Sequence, residues 1–284
     1  MPAALQNNPD TLLKMPIGVF DSGLGGLTVL KELSALLPSE DIVYFGDSGR
    51  TPYGTKSKDT VIRYTLQDIN FLLSHNVKMI VIACNTASAK ALRTIQQRNI
   101  DPNQLRVLGV IRPTVEIIPQ RTQTKHIGVL ATPGTVASES YVIELLKQDP
   151  TLTITQQACP MWVPLIESGE HLGDGANYFV EKYLTELLTR DPLIDTIILG
   201  CTHYPLLQAK IEQYLTTTHR NIAVVAQGEI VASSLADYLQ RHAEIKQDIR
   251  NGSCRYLTTE SASKFAESAS LFLSEPIEAT HIEL

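Results

Sequence analysis

Two hydrophobic patterns alternate along the chain. Short runs are apolar at nearly every position: Ile17-Gly-Val-Phe20, Ile42-Val-Tyr-Phe45, Met79-Ile-Val-Ile-Ala83, Val107-Leu-Gly-Val110, Ile127-Gly-Val-Leu130, Thr196-Ile-Ile-Leu199 and Ile222-Ala-Val-Val225. A strand with one wet face alternates apolar and polar residues, whereas one covered on both faces does not, so these runs predict buried parallel strands. Between them lie helix-length amphipathic stretches: Leu27–Leu37 stopped by Pro38, then Asp59–Ser74, Ala87–Arg98, Ser138–Lys147, Gly175–Thr189, Pro205–Thr216 and Glu229–Ala243. In Asp59–Ser74 the residues Val61, Ile62, Leu66, Ile69, Phe71, Leu72 and Leu73 are spaced to cover one helix face. Strand–helix alternation through the whole chain predicts an α/β fold with mainly parallel sheets.

Composition narrows the class. The chain has 284 residues, 43% of them hydrophobic and 19% charged, the balance of a globular protein with a sizeable core in one large or two ordinary domains. Its 24 Lys and Arg against 30 Asp and Glu give a net charge of −6, and no basic run interrupts that balance. Neither nucleic acid nor an anionic membrane is therefore an expected partner. No apolar run reaches the ~20 residues of a bilayer span, and Met1–Met15 does not read as a secretory leader. The expectation is a cytoplasmic protein whose four cysteines, Cys84, Cys159, Cys201 and Cys254, stay reduced.

An internal echo gives two of those cysteines a shared setting. Ile17-Gly-Val-Phe-Asp-Ser-Gly resembles Ile127-Gly-Val-Leu-Ala-Thr-Pro-Gly, and Val81-Ile-Ala-Cys-Asn-Thr resembles Ile198-Leu-Gly-Cys-Thr-His. The repeat predicts two similar α/β halves whose strand-end loops enclose one site, since ligands of such sheets sit at the carboxyl ends of the strands. Cys84 and Cys201 each follow a predicted strand and precede a helix. A helix N-terminus favours a thiolate and so is expected to lower the thiol pKa. Two thiols on opposite sides of one carbon suit stereoinversion: one removes a proton and the other returns one to the opposite face. A single acyl-transfer nucleophile would leave the second motif unexplained. Cys159 and Cys254 lack this setting and read as structural.

Polar neighbours fill supporting positions. Asp21 and Asp47 end predicted strands, where they either tune a thiol or cap the next helix, and His203 follows Cys201 by two residues. Ser22, Asn85, Thr86 and Thr202 are donors suited to a small carboxylate, and to capping. Gly23-Leu-Gly25-Gly26 is not a dinucleotide or Walker loop and reads as a tight strand-to-helix turn. Phe20-Asp21-Ser22-Gly23 lacks the second acid of an aspartyl-phosphate enzyme, and the seven His show no metal-binding spacing.

Longer motifs then carry a family resemblance. They are Gly18-Val-Phe-Asp21-Ser-Gly-Leu-Gly-Gly-Leu-Thr-Val, Tyr44-Phe-Gly-Asp47 with Pro52-Tyr53-Gly54, and Cys84-Asn-Thr-Ala-Ser. Further along come Gly128-Val-Leu-Ala-Thr132-Pro-Gly-Thr135, Cys159-Pro with Val163-Pro-Leu-Ile-Glu167-Ser-Gly, and Leu199-Gly-Cys201-Thr-His203-Tyr-Pro-Leu. In this order, from Pro16 to Tyr238, the chain resembles the glutamate racemases of the aspartate/glutamate racemase superfamily. The resemblance implies two pseudo-symmetric flavodoxin-like lobes with the site between them: residues 16–111 with 225–270, and residues 112–224, after a tail at 1–15. It implies racemisation of glutamate for peptidoglycan without metal or cofactor, in a homodimer. Cys84 would act on D-glutamate with help from Asp21, and Cys201 on L-glutamate with help from His203. Asp47 and Glu167 match auxiliary acids. Ser22, Tyr53, Gly54, Asn85, Thr86, Thr132, Thr135 and Thr202 match substrate-binding positions, as do Asp21 and His203. Val110-Ile-Arg112-Pro113-Thr114 departs from the family pattern at the crossover between lobes. An aspartate racemase or another cysteine-dependent isomerase of the superfamily would keep the thiols and change the pocket. A non-catalytic bilobed amino-acid binder would have no use for paired thiols.

Overall fold

The computed structural model describes residues 14–97, 106–247 and 251–284. Most of the expected tail, and Arg98 at the end of one expected helix, lie outside the described residues. The chain runs β1 (Ile17–Asp21), α1 (Leu27–Leu36), β2 (Ile42–Gly46), α2 (Lys58–Ser74), β3 (Met79–Ile82), α3 (Asn85–Lys90), α4 (Leu92–Gln97) and β4 (Val107–Gly109). A crossover helix, α5 (Ile111–Ile117), leads to β5 (His126–Ala131), α6 (Pro133–Ala137), α7 (Ser140–Gln148), β6 (Thr153–Ala158) and α8 (Trp162–Glu167). There follow α9 (Asp174–Arg190), β7 (Thr196–Gly200), α10 (Gln208–Thr217) and β8 (Ala223–Val225), then α11 (Gly228–Arg241), β9 (Cys254–Thr258), α12 (Ala262–Leu273) and β10 (Ala279–His281).

These strands form two parallel sheets. The larger has the order β10-β9-β2-β1-β3-β4 and the smaller β6-β5-β7-β8. Strands β2-β1-β3-β4 of the larger sheet and all of the smaller one share one order, in which an early strand is flanked by its successor on one side and the next on the other. The sequence echo is thus a repeat of topology: β1 corresponds to β5 and β3 to β7. Each sheet reverses its winding between those two strands, and such a switch point opens a crevice at the strand ends. The larger sheet takes β9 and β10 from the returning chain, so it runs past residue 270 to His281.

Residues along each buried strand split between two cores. Ile17 and Val19 of β1, Ile42 and Tyr44 of β2, and Met79 and Val81 of β3 face one hydrophobic cluster. Phe20, Val43, Phe45, Ile80 and Ile82 face another. The first cluster continues into the second sheet through Leu130, Ile197 and Leu199, so the two lobes share a core. The helix expected over Ala87–Arg98 is broken at Ala91 into α3 and α4. Arg112, on the crossover helix α5, is exposed and pairs with Glu116 at 2.9 Å, an i,i+4 surface contact.

Candidate active site

Asp21 is the last residue of β1, and Cys84 stands between β3 and α3. Main-chain turns fix both. Asp21 Oδ1 accepts from Gly23 N at 2.8 Å, so this carboxylate braces the glycine turn rather than capping α1, whose N-cap is Gly26 without a side-chain bond. Cys84 is itself the N-cap of α3, its sulfur accepting from Ala87 N at 3.4 Å and lying 3.3 Å from Ser22 Oγ. In the other sheet Cys201 follows β7 and Thr132 caps α6 after β5. His203 lies with Nδ1 3.9 Å from Cys201 Sγ and Nε2 3.0 Å from Glu167 Oε1, at the end of α8.

Both cysteines line one small cavity of about 70 Å³ between the sheets. Of the residues singled out from sequence, Ser22, Tyr53, Gly54, Asn85, Thr86, Thr132, Thr202 and His203 join them in its wall. Asp21, Asp47, Glu167 and Thr135 stand behind that wall. Asp21 reaches Thr202 Oγ1 at 3.5 Å, and Thr135 completes a hydroxyl cluster with Thr86 and Thr132 at 3.3 and 3.1 Å. Asp47 faces away from the cavity, bonded to Arg50, Tyr53 and Thr259. A larger cleft near Lys31, Pro113 and Asp237 contains neither sulfur.

Burial sets the electrostatics. The Cys84 thiol is pushed up to about 12, first by loss of water and then by the Asp21 carboxylate; the bonds from Ser22 and Ala87 pull the other way and lose. The expected lowering at a helix N-terminus is therefore reversed at Cys84, because a three-residue contact with a helix end is weaker than full desolvation. Asp21 is also raised by burial, against the opposing charge of His203 and the backbone donors of Gly23 and Gly26. Burial lowers His203, but its bonds to Cys201 and Glu167 outweigh that and lift it to about 10, so at neutral pH it is an imidazolium.

Several participants escaped the sequence reading. Cys159 follows β6 and precedes α8, so it does have the strand-then-helix setting, and it lines the cavity. Burial raises its thiol strongly, and its sulfur lies 3.6 Å from the Gln157 carbonyl. Asn85 is held by a buried ring: Tyr141 donates to Asn85 Oδ1 at 2.7 Å, Asn85 donates to Gln227 Oε1 at 2.6 Å, and Gln227 donates to Tyr141 at 2.8 Å and to Thr114 at 2.9 Å. Those four residues come from the two sheets' helices and from both crossovers. The signal for Gln227 was a polar residue directly after the apolar run Ile222–Ala226, at the strand-to-helix turn.

The family profile described as Asp/Glu/Hydantoin racemase matches residues 24–235. The glutamate racemase of Chlorobaculum parvum is 38% identical over 91% of this chain and 92% of its own, and that of Lactococcus lactis subsp. cremoris is 40% identical over 94% of each. The chain belongs to the glutamate racemase family. Solved structures of that family superpose closely. A glutamate racemase isoform of Bacillus anthracis gives a TM-score of 0.88 at 35% identity, over 96% of this chain and 98% of that one. The Francisella tularensis glutamate racemase, solved in complex with D-glutamate, gives 0.84 at 33% identity over 95% and 98%. An aspartate racemase of Picrophilus torridus, 17% identical with a TM-score of 0.54, shares the fold.

Proposed function

We propose that this protein interconverts L- and D-glutamate by a two-base proton transfer at Cα, with Cys84 and Cys201 as the two bases. The observation that carries the reading is that two thiols, at equivalent switch points of two similar sheets, line one cavity. A carbon held between them is approached from opposite faces, which is what inversion by proton transfer requires. When Cys201 takes the Cα proton of L-glutamate, Cys84 returns one to the other face; for D-glutamate the roles exchange. His203 donates to Cys201 and is oriented by Glu167, while Asp21 adjusts the charge around Cys84. Ser22, Asn85, Thr86, Thr132 and Thr202 supply hydroxyl and amide groups for the substrate's two carboxylates and its amine, with Tyr53 and Gly54 in the same wall. Thr135 and Asp47 act from behind, through Thr132 and Tyr53.

On this reading the enzyme works in the cytoplasm, where its thiols stay reduced, and supplies D-glutamate for peptidoglycan as a homodimer. The lobes divide near 16–111 with the returning chain from 225 to His281, and 112–224. The test is NMR of Cα–H exchange in D2O from each enantiomer, alongside circular dichroism of the product. Wild type exchanges and inverts both, and Cys84→Ser and Cys201→Ser each abolish net inversion. Retained inversion in either variant overturns the two-thiol assignment, and turnover of L-aspartate equal to or above that of L-glutamate overturns the substrate.

A further inference from the structure

Behind the wall of the cavity, Tyr53 sits between two buried carboxylates. The residue lines the site, and its hydroxyl bonds Asp47 Oδ2 and, at 2.9 Å, Asp68 Oδ2. A single cation serves both acids: Arg50 donates from Nε to Asp47 at 2.7 Å and from Nη2 to Asp68 at 2.6 Å. Its remaining nitrogen donates to Gln67 at 2.6 Å, and its guanidinium lies 4.2 Å above the Tyr64 ring, which Arg63 approaches at 5.3 Å. From the C-terminal strands, Thr259 donates to Asp47 Oδ1 at 2.8 Å. Neither carboxylate has exposed side-chain surface.

A proton count exposes a shortfall. A tyrosine hydroxyl carries one proton and can donate it once. Here its oxygen is within hydrogen-bond distance of two carboxylate oxygens. With both acids ionised, one of those contacts would be oxygen against anionic oxygen with nothing between. One further proton closes the chain. Apart from the shared Tyr53 hydroxyl, Asp47 receives from both Arg50 and Thr259 and Asp68 from Arg50, so the proton belongs on the less supplied acid, Asp68. Asp68 O–H then donates to Tyr53, and Tyr53 donates to Asp47.

We propose that Asp68 is a positioning residue of the substrate site, protonated at neutral pH, which through Tyr53 clamps the Pro52–Thr55 segment in place. Burial and the nearby Asp47 charge act in the same direction, raising the Asp68 carboxyl to about 8, and they keep the Tyr53 proton in place. The clamp matters at the cavity because the clamped segment is one of the contacts between the lobes. A Cβ added to Gly54 would stand 2.9 Å from Thr132 Cβ, and one on Gly134 2.5 Å from the Gly54 carbonyl. Slack in Tyr53 therefore moves the wall against which the substrate is held. When Asp68 ionises, two carboxylates face each other across Tyr53 with one guanidinium between them, and the segment loosens.

The functional part of this inference rests on the glutamate racemase reading; the protonation part does not. Carboxyl carbon NMR of protein labelled at Asp Cγ is expected to show one resonance titrating between pH 7 and 9, missing in Asp68→Asn. Absence of any such resonance in wild type overturns the proposal, whether or not the variants fold and whether or not glutamate is the substrate. In kinetics with glutamate, KM of wild type rises about 5-fold through that pH range, the factor one lost hydrogen bond is worth. Asp68→Ala shows a comparable increase already at pH 7. Asp68→Asn, whose amide can donate to Tyr53 as the acid does, loses the alkaline rise. An Asp68→Asn enzyme that keeps the same alkaline rise as wild type overturns the assignment to Asp68.

Discussion

Gly25→Ala provides a direct test of how the two lobes meet. Gly25 lies in the turn after β1, and an added Cβ would stand 2.3 Å from His203 Nδ1, 2.6 Å from His203 Cε1 and 2.5 Å from Thr202 Oγ1, all from the opposite lobe. Ordinary van der Waals contact begins near 3.4 Å, so the imidazole has to retreat by about 1 Å. It has little room to do so. Glu167 holds its far nitrogen at 3.0 Å, Phe272 packs on it edge-on with centroids 5.6 Å apart, and its near nitrogen is the one that faces Cys201. If His203 serves Cys201 as proposed, a displacement of that size costs about 10²-fold in rate.

The assay is racemisation by circular dichroism from each enantiomer, with Cα–H exchange in D2O followed separately. Gly25→Ala is expected to lose about 10²-fold in kcat in both directions, since on the proposed mechanism both sulfurs act in each turnover. The thermal midpoint should change far less than the rate, because the clash lies at a lobe interface and not within either sheet. Gly175→Ala is the matched control, its added Cβ meeting nothing within 4 Å. A Gly25→Ala enzyme within a few-fold of wild type would refute the claim that His203 must occupy its observed place.

Other expectations concern buried polar groups. Gln227→Leu leaves Asn85, Thr114 and Tyr141 without their shared partner, and urea unfolding should show a loss of about 2 kcal/mol, the cost of stranding buried polar groups; a loss below about 0.5 kcal/mol would show the ring to be dispensable. Lys78 and Glu40 form a buried ion pair beneath β1 and β3, and Glu40 also accepts from Gln247 N at 2.9 Å. Lys78→Met should cost about 3–5 kcal/mol by isolating the Glu40 charge. The double variant Lys78→Met, Glu40→Leu should recover part of that, and a double variant no more stable than the single one would contradict this account. His203 is raised above its usual range, so its stabilising contribution is complete below about pH 6.5 and is lost as pH rises through about 10. The gap in thermal midpoint between wild type and His203→Gln should therefore narrow across that window, and a gap that widens would refute the assigned charge.

What the sequence made legible follows from burial. Strands β1, β2, β3, β5 and β7 are covered on both faces, and each appears as an unbroken apolar run. Two of the more exposed strands, β6 and β9, read differently. In β6, Thr153-Ile-Thr-Gln-Gln-Ala158, most residues are half-exposed, and β9 alternates Cys254-Arg-Tyr-Leu-Thr258, so neither stands out from loop composition. Missing β6 is what hid the setting of Cys159. Asp68 was hidden in another way. With Val61, Thr65 and Leu72 it falls on the buried stripe of α2, where a carboxylate breaks the apolar spacing, and its partners Asp47, Arg50 and Tyr53 are supplied by a loop whose path no periodicity foretells. The direction of the Cys84 shift depended on how completely the fold removes water from the sulfur, and spacing carries no information about that.

The two halves repeat in backbone and differ in protons. Cys84 and Cys201 occupy equivalent positions after β3 and β7, but burial and Asp21 keep Cys84 a thiol, while Cys201 faces an imidazolium. On the two-thiol reading, such an arrangement is set for removal of a proton by Cys201 and delivery by Cys84. Each turnover in that direction moves a proton from one sulfur's side to the other, leaving Cys84 as a thiolate in the surroundings that disfavour it most. The enzyme must then either bind the opposite enantiomer, which reverses the exchange, or regain a proton at Cys84. Asp21, on the strand beside β3, adds its charge to that disfavour, whereas the Glu167–His203 pair stands beside Cys201. The repeated backbone therefore carries unlike neighbours at its two thiols, a buried carboxyl beside Cys84 and an imidazolium beside Cys201, and on the two-thiol reading these neighbours bias which sulfur gives up its proton to the substrate.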